Sequence, residues 1–436
     1  ACRENITFMA LACNQRPDHS TIAAFISSMH EQVGPLFTQV LLVCEQEGLL
    51  GGTHFSLDGL KLSSNAAKEW SGTFKDLHTK KEAIARRVQE TLAEHRETDR
   101  REGKTRADSQ RQRRRERVEN LKRKAERIER FLDENEPKIG KRGKEVQSNV
   151  TDNDSAKMTS SHGVIQGYNA NAAVDEDNQV VVHAEVFWDA TDSTAMEAML
   201  DGVKQNMEGV GREDPLKDTT VSADTGYFST TNLQACRDAE VDAYVPDPKF
   251  RERDVRFADA KRHRRPTDKR KLQYKKKPSQ WFTNDDFHYD NDIGKLVCPA
   301  GKELYIKNRH FFTGDWFEGV AYQAPAKACR GCKLRAQCLR NPDSKRGRQV
   351  HYLHGRRPGA LTDEMRQKID TPEGRKTYSK RLGIVEPVFG NIRSAKRMDR
   401  FTLRGRIKVN IQWMLYCIVH NIEKIGHYGE NYAMAT

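Results

Sequence analysis

Apolar residues recur at helical spacing near the start of the chain. Ile22, Phe25, Met29 and Val33 predict a helix with Ser20 as its cap. Gly34-Pro35 breaks the run, and Phe37, Leu41 and Cys44 resume it. Gly48, Gly51 and Gly52 mark a loop, and Phe55 and Leu57 then alternate with polar residues in a short strand over 53–58. Residues 68–135 read as a long helical hairpin. One stripe is Trp70, Phe74, Leu77, Ile84 and Val88. The other is Val118, Leu121, Ala125, Ile128 and Leu132, a heptad pattern best satisfied within the chain. The polar stretch 98–112 is the tip. A Gly-, Lys- and Ser-rich linker runs to about 155.

From about residue 163 the period changes to two. Val164, Gln166, Tyr168, Ala170 and Ala172 alternate along one strand, and 180–187 forms a second, with Asp177-Asn178 between them. A helix with Met196, Leu200 and Val203 follows, then a strand over 219–224, a helix capped by Ser229 or Thr230, and a short strand at 243–245. Three strands followed by alternating helices and strands predict an α/β fold, a mixed sheet with helices on both faces. The expected organisation is a helical segment within 1–50 and a core formed by 51–67 and 156–246. The hairpin and linker occupy 68–155. A basic, β-rich insertion follows at 247–372, and helices over 373–436 complete the core. The last helices carry Val385, Val388, Phe389 and Ile392, then Ile411, Leu415, Ile418 and Ile422.

Composition narrows the class. The 436 residues include 75 Lys and Arg against 62 Asp and Glu, a net charge of +13. No apolar stretch approaches the roughly 18 residues of a membrane span. No signal peptide is visible, and the nine cysteines are unevenly spaced, so a reducing cytoplasm is expected. The chain begins at Ala1 with a helical segment close behind, so upstream sequence is expected. The charge is concentrated. Residues 100–130 hold 14 basic and 6 acidic side chains, and 249–277 hold 14 and 4. The remainder is slightly acidic. Such local surfaces favour a polyanion, most simply a nucleic acid backbone. The bland alternative is a solvated charged helix.

Three acids carry candidate chemistry. Asp58 stands in FSLDG and Asp224 in VSADTGY, both at predicted strand ends beside a glycine. Glu386 stands in RLGIVEPVFG, with Pro387 suited to a helix's first turn and Glu386 at its N-terminus. Clustered carboxylates repel one another, and a hard divalent cation such as Mg²⁺ resolves the repulsion with oxygen ligands. Taken singly, each acid also reads as a turn or a helix cap. Cys298, Cys329, Cys332 and Cys338 form a second cluster, in which C-x2-C is half of a Zn²⁺ knuckle. The alternative is four reduced thiols in a small β domain. Trp281, Phe282, Phe287 and Tyr289 read as the core of a small sheet, or as a base-stacking platform.

Taken together, PDHSTIAAF (17–25), SLDGLKLSSNA (56–66), GYNANAAVDE (167–176), ADTGYFS (223–229), VCPAGK (297–302), CRGCKLRAQC (329–338) and YSKRLGIVEPVFGNIR (378–393) resemble the DDE transposases of bacterial insertion sequences. The last segment is similar to the Tyr-Arg-Glu-Lys signature of one large group. Tyr378, Arg381 and Glu386 fill the first three places. Arg393 stands at the fourth, with Lys396 three residues on, and one extra residue separates Arg381 from Glu386. The resemblance implies that 1–50 is the end of an N-terminal helical DNA-binding domain that helps bind the transposon ends, and an RNase H-like core in which Asp58, Asp224 and Glu386 hold Mg²⁺ or Mn²⁺. It implies that Tyr378, Arg381, Arg393 and Lys396 contact DNA phosphates. The partners it implies are transposon terminal inverted repeats, target DNA and a second copy of the chain when ends are paired. The expected activity is metal-dependent cleavage at transposon ends and strand transfer. The rivals are a non-catalytic DNA-binding protein or inactive remnant, and a nuclease that cuts without joining. No GxxxxGK[ST] loop argues for ATP.

Overall fold

The computed structural model describes residues 4–102, 108–140, 143–160, 163–189, 191–257, 281–290, 295–313, 317–341, 343–356 and 361–430. Most of the second basic run and the turn of the hairpin lie outside the described residues. The first elements are α1 (Ile6–Leu11), α2 (His19–Ser28), α3 (Val33–Gln46), β1 (His54–Ser63), β2 (Ser71–Gly72), α4 (Phe74–Glu102) and α5 (Asp108–Glu134). Then come β3 (Ser148–Asn149), β4 (Ala156–Ser160), β5 (Gly163–Asp175), β6 (Val181–Phe187), α6 (Met196–Gly209), β7 (Thr220–Ala223), α7 (Thr230–Asp238) and β8 (Asp242–Tyr244). The rest are β9 (His288–Asp290), β10 (Lys295–Val297), β11 (Glu303–Thr313), β12 (Phe317–Gln323), α8 (Ala326–Arg330), α9 (Arg335–Cys338), β13 (Gln349–Arg356), α10 (Leu361–Asp370), α11 (Pro372–Gly390) and α12 (Arg406–Tyr428). The chain forms two units. One comprises Ala1–Tyr227, Ala235–Asp242 and Ser379–Thr436, the other Phe228–Gln234 and Ala243–Tyr378.

The first unit is mixed α/β. β5 pairs antiparallel with β1 on one edge, from Phe55 opposite Asp175 to Ser63 opposite Gly167. Its other edge takes β4 and then β6. β1 also pairs parallel with β7, His54 to Leu57 lying opposite Thr220 to Ala223. Nearly all of β5 is buried, including Asn169 and Asn171. β6 would expose an open edge, and α12 covers it. Asn421 accepts the Val181 N–H at 2.8 Å and donates to the Val181 carbonyl at 2.8 Å. Asn410 accepts the Val186 N–H at 2.9 Å. The helix thus replaces a neighbouring strand with side-chain amides. α4 and α5 pack along their apolar stripes, with Leu77, Val88, Val118 and Ile128 buried and Phe74 tilted against Phe131. The heptad contact is therefore intramolecular.

Three local readings need correction. The cap of α2 is Asp18, which accepts the Thr21 N–H at 2.7 Å, and Ser20 lies inside the helix. The expected break at Gly34-Pro35 falls earlier, between Ser28 and Val33. Pro35 sits in the first turn of α3, where a missing N–H costs nothing. Pro387 does not open a helix. α11 runs unbroken from Pro372 to Gly390, so Glu386 lies near its C-terminal end. Pro387 cannot donate to the Gly383 carbonyl four residues back. The Gln179 side-chain amide donates to it instead, at 2.9 Å. That outside donor is what lets the helix continue through a proline.

The second unit holds an antiparallel sheet ordered β13-β12-β11-β10-β9. Its core is Phe287, Leu296, Leu304, Tyr322, Ala324 and Val350, with Phe282 packed against it. Phe282 and Phe287 therefore belong to a core, whereas Tyr289 is exposed. α10 is tied to the segment after β8 by Arg253, which bridges Asp247 and Asp370 at 2.6 Å each.

Asn421→Ala leaves both backbone groups of Val181 without partners in a buried edge. A loss of about 2–6 kcal/mol in folding stability is expected, from about 1–3 kcal/mol for each of the two orphaned groups. Urea denaturation of wild type and variant measures it, and an unchanged midpoint would show that α12 does not guard the edge.

Candidate active site

The β1–β7 register brings Asp58 and Asp224 together. Leu57 lies opposite Ala223, so the next residue of each strand is an aspartate. β7 ends there and β1 continues past it. Asp58 accepts the Gly59 N–H at 2.8 Å through Oδ1 and the Arg381 guanidinium at 2.9 Å through Oδ2. Asp224 accepts the Gly226 N–H at 2.7 Å. Burial pushes the Asp58 carboxyl above the usual aspartate range. Arg381 pulls it back, and Asp224 pushes it up again. The two carboxylates therefore feel each other across the strand ends.

A third acid, missed by sequence reasoning, joins them. Asp192 lies in the loop between β6 and α6. Its carboxyl is also raised, by burial first, with Asp224 and Asp58 adding to the rise and Asn169 and Lys61 opposing it. Two glycines permit its approach. A Cβ on Gly226 would stand 2.9 Å from both Asp192 Oδ2 and Asp224 Oδ1. One on Gly59 would stand 2.8 Å from Asn169 Oδ1 and 2.9 Å from Asp192 Oδ1. Tyr227 is fully buried beside them and donates to Asn171 Oδ1 at 2.9 Å. Burial and the three aspartates hold its phenol protonated. In the sequence, Asp192 sits in TDST just before a helix and reads as a cap. Nothing local marks it otherwise.

The other expected residues are distributed as follows. Glu386 is exposed on α11, five residues past Arg381, which turns it about 140° around the helix from the side meeting Asp58. Arg381 is 7% exposed and pairs with Asp58, so its observed partner is a carboxylate. Tyr378 belongs to the second unit and packs edge-on against Phe250 at 5.4 Å. Lys396 is buried in an ion pair with Glu423 and also donates to Asn391. Arg393 is exposed.

In the second unit Cys298, Cys329, Cys332 and Cys338 line one small cavity of about 30 Å³. Lys302 donates its N–H to Cys298 Sγ at 3.3 Å. Burial raises the Cys338 thiol, Arg348 opposes this, and the other three cysteines add to the rise. Arg335 spends its guanidinium on the carbonyls of Cys329 and Ser344, at 2.7 and 2.6 Å. Among the described residues, no group of three or more His, Cys, Asp or Glu side chains already stands so as to hold a metal ion. At the aspartates, Asp58 is turned to Arg381 and Asp192 to Asn169.

Residues 297–426 match the transposase DDE domain. The match supports a DDE transposase, and such a domain implies DNA as a partner. It includes the cysteine cluster, Tyr378, Arg381 and Glu386, and leaves Asp58, Asp192 and Asp224 outside. None of the curated proteins matches the chain. No described helix is long and apolar enough to cross a membrane.

Asp58 binds more protons folded than unfolded between the ordinary aspartate value and its raised one. Its contribution to stability therefore falls as pH rises through that window. Arg381→Gln removes the main influence lowering it, so Asp58 in the variant is expected to titrate at still higher pH. A ¹³C-carboxylate NMR titration of both proteins checks this. Titration of wild-type Asp58 at or below the ordinary value contradicts it.

Proposed function

We propose that this protein is a transposase with an RNase H-like core that cuts DNA at the ends of a transposon and joins the freed 3′-hydroxyl to a target strand. The observation that carries the reading is the register setting Asp58 beside Asp224, in a chain whose later part matches the transposase DDE domain. Both aspartates are only partly covered, and repulsion between them favours a counter-ion. Their oxygens fit Mg²⁺ or Mn²⁺. When bound, the cation would supply Lewis-acid activation of the attacking oxygen and stabilisation of the leaving one.

The protein's own groups have separate parts. Asp58 and Asp224 hold the charge at the strand ends. Arg381 neutralises and orients Asp58. Arg393, exposed just past α11, is suited to a phosphate as a planar fork, whereas Lys396 is committed to Glu423. Tyr378 is proposed to contact a DNA phosphate. Glu386, exposed on the helix that carries Arg381, is the proposed third ligand, and a Glu386→Gln variant decides whether it is needed. Two copies are proposed to act together when ends are paired.

The ion pair that occupies Asp58 favours a second reading, a DNA-binding protein without catalysis. One assay separates the readings. DNA carrying the element's ends is incubated with the protein and Mg²⁺, and nicked and joined products are resolved. Asp224→Ala is expected to lose at least about a hundredfold in nicking, as for loss of a group acting on the transition state, while still binding the ends. Binding without nicking by the wild type supports the second reading, and nicking without joined strands supports a nuclease.

We propose further that the four cysteines of the second unit hold a structural Zn²⁺. They share one cavity, and the N–H donated to Cys298 Sγ suits a thiolate. Metal analysis of purified protein is expected to find about one zinc per chain, lost in a Cys332→Ser/Cys338→Ser variant. Zinc-free wild type with all four thiols reactive contradicts the site.

A further inference from the structure

Asp192 is placed to do more than fill a loop. Its Oδ2 and Asp224 Oδ1 each lie 2.9 Å from the point where a Cβ would stand on Gly226. Only a residue without a side chain leaves that space to two carboxylates. Asn169 donates its amide to Asp192 and so fixes the direction of the carboxylate. Asn169 is itself fully buried, and its Oδ1, turned toward the same space above Gly59, has no hydrogen-bond partner. A buried acceptor without a donor, next to repelling carboxylates, describes an oxygen-lined place short of positive charge. Lys61 is the cation that offsets Asp192 most.

We propose that Asp192 is a further ligand of the divalent cation, shared with Asp224, and that Asn169 is its positioning residue. This rests on the metal-dependent reading above and adds a residue to it. The ligand class is a hard dication, Mg²⁺ or Mn²⁺, because every available donor is an oxygen. The assignment also supplies a further carboxylate near Asp58 and Asp224. The β1–β5 ladder puts Gly59 opposite Asn171 and Lys61 opposite Asn169, one residue out of step with Asp58 opposite Ala172. Asp192 thus approaches on the asparagine side of the ladder, and Asp58 lies one residue out of step with it.

The test is Mn²⁺ binding to the full chain without DNA, followed by electron paramagnetic resonance of free Mn²⁺. Wild type is compared with Asp192→Asn, Asp224→Asn, Asn169→Ala and Glu208→Gln, a surface charge control on α6. Asp192→Asn is expected to weaken Mn²⁺ binding at least about tenfold and Asn169→Ala by less, as for a residue acting through a ligand. Glu208→Gln is expected to bind as wild type. Wild-type affinity in Asp192→Asn, with affinity lost in Asp224→Asn, overturns this inference and leaves the wider reading standing. Wild-type affinity in Asp224→Asn removes the metal reading itself. Circular dichroism reports folding. If Asp192→Asn does not fold, Asp192→Glu is read in its place, since it keeps the charge and moves the carboxylate. Weakened binding there supports the assignment and unchanged binding overturns it.

Discussion

The site depends on the parallel register of β1 and β7. No hairpin joins these strands, and a turn therefore cannot set their alignment. Ser56 and Ser222 are 166 residues apart in sequence, yet their hydroxyls meet at 2.7 Å in the buried interior. His54 extends the contact, with Nε2 at 2.9 Å from Ser222 Oγ and Nδ1 at 2.9 Å from Glu176. Burial lowers the His54 pKa despite the carboxylate beside it, so the imidazole is neutral. Burial would raise Glu176, but Lys380 and His54 hold it below its ordinary value, so it is a carboxylate and only accepts. Nδ1 must then carry the proton, Nε2 accepts from Ser222, and Ser222 accepts from Ser56. Each contact of the relay then has one assigned donor and one acceptor. A slip of one residue would break it and turn Asp58 to the opposite face.

The C-terminal helices carry this order to the site's other residues. Trp413 of α12 is fully buried and donates its indole N–H to the Asn171 carbonyl at 2.8 Å. Tyr227 holds the side chain of the same asparagine. Asn171 is thus fixed at backbone and side chain by residues far apart in the sequence, next to the glycine that admits Asp192. α11 contributes Arg381 to Asp58 and Lys380 to Glu176, 2.9 Å in each case. Adjacent residues of one helix therefore act on both the register relay and the acidic site. A break at Pro387 would leave that helix poorly anchored, and the amide of Gln179 prevents it.

Much of this arrangement is legible in the sequence, and the remainder is not for identifiable reasons. The acids beside glycines are local signals, and Asp58 and Asp224 do meet, but only Asp224 follows a strand end; the strand expected to stop at Asp58 runs on to Ser63, so Asp58 is mid-strand. The change of period near residue 163 likewise marks β5 and β6 within a residue or two. Asp192 has no such signal. Its neighbours are those of an ordinary helix cap, and its significance comes from Gly59, Asn169 and Gly226, each on a different element. Pro387 misled because a proline normally marks a helix's first turn, and the donor that tolerates it is 208 residues away in sequence. Lys396 reads as a free cation until Glu423, one helix later, claims it.

Arg381 shows how charge, more than shape, constrains the site. Three partly buried aspartates meet there, and the cations among the strongest influences on Asp58 and Asp192 are Arg381 and Lys61, beside the hydrogen bonds from Gly59 and Asn169. A guanidinium 7% exposed cannot serve Asp58 and a phosphate arriving from solvent with the same N–H groups. The two uses exclude each other unless another positive charge takes over Asp58. A surface rich in acid also repels the phosphate backbone at the place where the backbone would have to come. Under the proposed function both difficulties would have the same remedy, a compact dication held by the carboxylates, which would offset their charge and compete with Arg381 for Asp58. If the proposed function holds, the basic chemistry of a DNA contact and the acidic chemistry of a cation site would draw on one electrostatic balance, in which Arg381 is now paired with Asp58.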